Sequence, residues 1–148
     1  MLNPTREQIA VALFNQIKTK CGNTFVSYGR RPDLWEKFND KPCLQMGQMP
    51  EKYQRDHGTA TGPIVTLPFD VWIYFDVRDP NSVPDTILNA LIDSVEAALA
   101  PNPGQAQTLG FAPGLIYSAW IDPEIHRFPG YMNGQGGAII MVNVEVPQ

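Results

Sequence analysis

Apolar positions recur at two different spacings along the chain, and each change of spacing marks a new element. Ile9, Leu13, Phe14 and Ile17 follow one another at helical spacing. Thr5 with Gln8 three residues on is a capping-box pattern, in which the two side chains satisfy backbone N–H groups that a first helical turn leaves unpaired. With Gly22 as a stop, this predicts an amphipathic helix over residues 5–21. Thr24-Phe25-Val26-Ser27-Tyr28 then alternates apolar with polar and runs into Gly29-Arg30-Arg31-Pro32, which predicts a short edge strand over 24–28 and a turn. Asp33 to Asn39 reads as one helical turn presenting Trp35 and Phe38, and Cys43 to Met49 as extended.

From Thr66 the alternation becomes strict. Leu67, Phe69, Val71, Ile73, Phe75 and Val77 fall on one side, and Pro68, Asp70, Trp72, Tyr74 and Asp76 on the other. This is the pattern of a central strand with its first set toward the core. Asp79 to Ser82 is a turn, and Ser82 with Asp85, and Pro84 between them, marks a helix start. Ile87, Leu88, Leu91, Ile92, Val95 and Leu99 continue as the clearest apolar stripe in the chain until Pro101. Two more extended segments, Leu115 to Asp122 and Ala138 to Val146, follow a loop rich in Pro, Gly and Gln; the second places Ala138, Ile140, Val142, Val144 and Val146 on one face. The polar stretch from Pro50 to Pro63 reads as a long hairpin arm or loop.

Two such helices cover one face of a sheet, so the expected fold is a two-layer α+β domain over residues 1–148, with two main helices on a mixed or antiparallel sheet of four to five strands. The other sheet face then shows Trp72, Tyr74, Ile139 and Met141, more apolar than water favours. A subunit interface and a cover of loops both account for it.

Composition supports an ordinary globular chain: 148 residues, 43% hydrophobic, 14 Pro and 12 Gly, a size that buries about 70% of the unfolded surface without metal or disulfide. Two cysteines, Cys21 and Cys43, are too few for a disulfide scaffold and fit a reducing compartment. No apolar run approaches the ~20 residues of a membrane span, and Asn3, Pro4, Arg6 and Glu7 stand where a signal peptide would be apolar. A soluble protein made in the cytosol is expected. The net charge of −4 argues against general nucleic-acid binding, but it is unevenly distributed. Residues 1–57 hold 9 Lys and Arg against 6 Asp and Glu, and residues 58–148 hold 2 against 9. Unless the halves intermingle in the fold, this suits head-to-tail contacts between identical copies.

Candidate chemistry is sparse. Asp122, Glu124 and His126 alternate as a ligand set would on one side of an extended segment, yet Pro123 and Pro129 interrupt it and no helical His pair or Cys pair accompanies it. Solvated loop charges account for it better. His57 stands in a polar loop with no second His nearby, and Cys21 and Cys43 lack a context that lowers a thiol pKa. Gly134, Gly136 and Gly137 precede a strand and no Lys-Ser or Lys-Thr, so a flexible hairpin loop explains them better than a phosphate cradle. No catalytic, cofactor-binding or metal residue is therefore expected. Arg30 and Arg31, adjacent and followed by Pro32, are candidates for gripping a carboxylate on a neighbouring subunit, with a solvated basic turn as the plain alternative.

The N-terminal helix through Ile17, the Phe25 to Pro32 segment with its Tyr-Gly-Arg-Arg-Pro run, the central strand, the Pro84-Asp85 helix opening and the two terminal strands ending at Val146 together span nearly the whole chain. In order and length this succession resembles the phage tail terminator family, of the minor tail protein U type. The resemblance implies helices packed on a mixed sheet and a homo-oligomeric, hexameric ring that caps the tail tube, ends its polymerisation and offers the surface on which the head docks. It implies a bacteriophage structural protein of the virion tail, assembled in the host bacterial cytoplasm. The implied partners are other copies, the tail tube protein and a head completion protein, with genomic DNA passing through the ring, no sequence-specific nucleic-acid contact and no membrane. Such a task needs no cofactor and no catalytic residue. The subunit or tube interface expected on this basis comprises Arg30, Arg31, Trp72 and Tyr74. The 50–63 loop and the 101–114 segment are longer than a minimal version of that fold needs. Another tail or neck component, either a tube or a head completion protein, stays open as an alternative, as does a small metal-dependent hydrolase using Asp122, Glu124 and His126.

Overall fold

A computed structural model describes residues 4–54, 64–77, 79–128 and 134–147. Helix α1 spans Arg6–Cys21, and its capping box forms as expected: the Gln8 N–H donates to Thr5 Oγ1 at 3.2 Å and the Thr5 N–H to Gln8 Oε1 at 2.9 Å. Gly22, at φ 54°, ends the helix and donates its N–H to the Lys18 carbonyl. Helix α2 spans Pro84–Leu99. Its start differs from the expected capping pattern. Val83 is the cap residue and, with no polar side-chain atom, makes no side-chain cap bond, while the Ser82 hydroxyl is engaged in the preceding turn, donating to the Asp79 carbonyl at 2.8 Å. Pro84 offsets the missing cap in part, since it has no N–H to leave unpaired.

The strands are β1 Ser27–Gly29, β2 Cys43–Gln48, β3 Lys52–Gln54, β4 Ile64–Asp76, β5 Ser118–Ile121, β6 His126–Phe128 and β7 Gln135–Pro147. They form one mixed sheet of seven strands in the order β1-β2-β4-β7-β5, with β3 also on β4 and β6 also on β7. The α+β class is as read from the periodicity, whereas the expected four to five strands fall short. β3 lies inside the 50–63 stretch expected as a polar hairpin arm or loop and pairs antiparallel with the start of β4, and β6 lies inside the stretch expected as solvated loop charges. The edge strand expected at 24–28 begins later, at Ser27. Residues Gly22–Thr24 instead make a 3-10 turn, and Phe25 drops into the core at 3% exposure with its ring edge-on to Tyr28.

β4 and β7 are the spine of the sheet, paired antiparallel without a break from Ile64↔Pro147 to Asp76↔Gln135. Val65, Leu67, Phe69, Val71, Ile73 and Phe75 of β4, and Ala138, Ile140, Val142, Val144 and Val146 of β7, are all buried in one core. Helices α1 and α2 cover this face. They run antiparallel, with Gln16 Nε2 donating to the Ala98 carbonyl and Cys21 Sγ to that of Ser94. The expected central-strand set is therefore core, except that Val77 lies just past the strand and only packs against its margin.

Two glycines expected in a flexible loop belong to β7 instead. A Cβ on Gly136 would stand 2.4 Å from the Phe75 ring, and one on Gly137 would stand 2.4 Å from the Ile73 carbonyl oxygen. These positions are bare because the neighbouring strand fills the space, not because the backbone must flex. His57 and most of the expected arm lie outside the described residues.

Candidate functional site

The sheet face turned away from the helices carries the side chains that fall out of phase with the core. Gln45, Trp72, Ile139 and His126 form one register row across β2, β4, β7 and β6. Met141, opposite Asp70, extends the apolar surface, and Trp120 and Phe128 stand at its β5 and β6 margin, opposite Asn143 and Gly137. Trp72, Ile139 and Met141 are half-buried, while Trp120 is 37% and Phe128 49% exposed. The parallel pairing of β1 with β2 makes residues 30–42 pass over this face, and they cover one end of it.

That cover is fastened on Tyr74. Its hydroxyl donates to the Asp33 carbonyl at 2.7 Å and accepts the Asp33 N–H at 3.2 Å, and Phe38 packs on its ring at 4.6 Å. Trp35 Nε1 donates to the Phe75 carbonyl at 2.9 Å, and the Lys41 ammonium lies over the Trp35 ring at 3.9 Å. Tyr74 is consequently 5% exposed, and burial pushes its phenol pKa up to about 12. It holds the loop and presents little surface of its own. Of the two explanations offered for an apolar second face, a cover of loops applies to Tyr74 and leaves the Trp72 side uncovered among the described residues.

Trp72 stacks on Tyr74 at 6.1 Å and 14°, and its indole N–H donates to Asp70 Oδ2 at 2.7 Å. Between the loop and β6 runs an open groove of about 530 Å³, walled by Pro32, Leu34, Trp35 and Phe128 over Trp72 and Tyr74. The polar tips of Trp35, Trp72 and Tyr74 are all bonded within the chain, so the groove offers apolar contact and few directional donors. Leu34, at 60% exposure, stands at its rim. Leu34, Trp120 and Phe128 escaped the sequence reading. Trp120 carried a signal, since it alternates with the core-facing Ala119 and Ile121; Leu34 and Phe128 sit in segments with no period.

The two arginines separate. Arg30 pairs with Glu7 in the first turn of α1, Nη1 to Oε1 at 2.5 Å, and so fastens β1 to the helix layer. Arg31 donates its backbone N–H to Gln45 Oε1 at 3.1 Å, and its exposed side chain has no partner among the described residues. A second internal pair joins Arg6 and Glu51. Arg6 grips Glu51 through Nε at 2.5 Å and Nη2 at 2.7 Å and also reaches the Tyr53 hydroxyl, tying β3 to α1 and holding the Glu51 carboxyl below its ordinary pKa.

Asp122, Glu124 and His126 do not assemble. Asp122 accepts from Asn143 Nδ2 at 2.8 Å, Glu124 and His126 are exposed, and no group of three His, Cys, Asp or Glu suited to a metal occurs among the described residues. Cys21 and Cys43 are buried thiols whose pKa values burial raises, that of Cys43 to about 11. No described helix is long and apolar enough to cross a membrane. No family model matches the chain, and no curated protein matches it in sequence.

Proposed function

We propose that the protein is a structural component of a phage tail that closes into a homo-oligomeric ring, hexameric by its resemblance to tail terminators, and caps the tail tube. In that role it ends tube polymerisation, receives a head completion protein on its other side, lets genomic DNA pass and performs no catalysis. It acts in the virion tail after assembly in the host bacterial cytoplasm. The observation that carries this reading is a sheet face whose Trp72 side no described residue covers: half-buried Trp72, Ile139 and Met141 and exposed Trp120 and Phe128 lie beside an open apolar groove, the kind of contiguous apolar surface that marks an interaction site. Trp72 contributes contact area directly. Tyr74 contributes by anchoring the loop that bears Leu34, and Arg30 and Arg31 by shaping and charging the β1 end.

Sedimentation of the purified chain over a wide concentration range, with electron microscopy of the same samples, tests this. A ring-former reaches one particle mass and stays there. A mass that keeps growing with concentration marks an open polymer and supports a tube protein instead, because a head-to-tail contact that does not close makes filaments. A chain that stays monomeric at every concentration contradicts the proposal.

A further inference from the structure

The order of the strands separates the first part of the chain from the last. α1, β1, β2 and β3 come from the basic first part and occupy one end of the sheet, where Arg30–Glu7 and Arg6–Glu51 bind α1 to it. β5 and β6 close the other end, where Arg127 bonds Asn89 at 2.7 Å and lies 3.5 Å from Asp85 in α2. The first part of the chain therefore builds the β1 side of the sheet and the later part its β5 and β6 side.

One exposed charge at each end stands at the same height along the strands. Arg31 is bonded to Gln45, which heads the row Gln45, Trp72, Ile139, His126. At the far end, the Asp122 N–H meets the Met141 carbonyl and His126 faces Ile139, so Glu124 lies between these two levels. Neither Arg31 nor Glu124 has an ion-pair partner among the described residues. Four strand spacings of about 4.8 Å separate the two ends by about 20 Å, too far for the pair to meet within one copy. Each end also carries exposed apolar surface: Val26, 64% exposed, precedes β1, and Trp120 and Phe128 flank Glu124.

We propose that the chain binds a second copy of itself head to tail, the Arg31 and Val26 end of one sheet seating on the Glu124, Trp120 and Phe128 end of the next. This rests on the ring reading and names the surfaces that would make the ring. The same molecule supplies a cation at one end and a carboxylate at matching height at the other, neither paired among the described residues, with exposed apolar side chains at each end, which argues for a copy over an unrelated partner. The two surfaces differ, so the contact is heterologous and repeats around an axis instead of stopping at two. A guanidinium and a carboxylate brought together between apolar side chains are partly desolvated, which strengthens the pair and makes assembly salt-sensitive.

The test uses R31E, E124R, the double variant R31E/E124R and an equimolar mixture of the two single variants, each first checked for an unchanged melting temperature. R31Q and E124Q serve in place of any reversal that does not fold. By sedimentation at low ionic strength, each single reversal is expected to weaken self-association at least about 10-fold, with the double variant and the mixture restoring particles larger than a dimer. Wild-type particles with single reversals that assemble normally would overturn the head-to-tail pairing and leave the ring reading standing. So would single reversals that break assembly without rescue by the swap. A wild-type chain that is monomeric throughout would overturn both.

Discussion

Gly136→Ala measures how tightly β7 is seated on β4. The added methyl would stand 2.4 Å from one atom of the Phe75 ring and 2.5 Å from the next, and Phe75 is itself 1% exposed and surrounded by core. Real Cβ atoms do not approach closer than about 3.0 Å, so the ring or the strand must move, and overpacking of this kind costs about 1–3 kcal/mol. The substitution also removes freedom from the unfolded chain, which returns about 0.4–1 kcal/mol. The net expectation is a loss of about 1–2 kcal/mol, or a melting temperature lower by roughly 2–8 °C for a domain of this size. The clash partner is a side chain, so Phe75→Leu should relieve it. In a double-mutant cycle followed by urea unfolding, the pair is expected to be less destabilised than the sum of the single changes by about 0.5–2 kcal/mol. Gly137→Ala is the internal contrast, because its obstacle is the Ile73 carbonyl and no side-chain truncation relieves it. A neutral Gly136→Ala, or strictly additive costs with Phe75→Leu, would show that these glycines serve a flexible loop after all.

Three further outcomes are expected. Leu91→Asp or Val95→Asp should abolish folding, because a carboxylate at these buried α2 positions has no partner and costs several kcal/mol of a total stability near 5–15 kcal/mol; a soluble variant with a normal melting curve would mean the stripe does not face the core. Native protein at pH 8 should leave Cys21 and Cys43 unlabelled by a thiol reagent until denaturant is added, since both are buried and only roughly one part in a thousand of Cys43 would be thiolate; rapid labelling would place them at the surface. Glu51 is held below its ordinary value of 4.5 by Arg6, so its stabilising contribution is fully present above that value and disappears as acid carries the pH through the lower folded value. The small stability gap between wild type and Glu51→Gln should therefore close as the pH falls below about 4.5, and a gap that widened on acidification would reverse the assigned sign.

The legible parts of the fold were those that carry their own period or their own cap. Helix α1 could be read because Thr5 and Gln8 act on each other three residues apart, and β4 and β7 because each repeats its alternation over a long run. β3 and β6 are three residues each and exist by pairing with the ends of those long strands, so they leave no period to read. Of the interface candidates, Trp72 could be placed on the second face from its phase in β4. The covering of Tyr74 could not, because it depends on Asp33 and Phe38 arriving from a loop about 40 positions away in the chain. The separation of Arg30 from Arg31 was equally hidden, since the partner that captures Arg30, Glu7, lies 23 residues upstream in α1.

The capping role is tested most directly by locating the protein on tail tubes. Labelled chain added to an assembly extract that lacks it, and viewed by electron microscopy, should mark one end of each tube with a single ring and yield tubes of uniform length. Label distributed along the tubes, or tubes of uncontrolled length with no label at either end, would contradict the account.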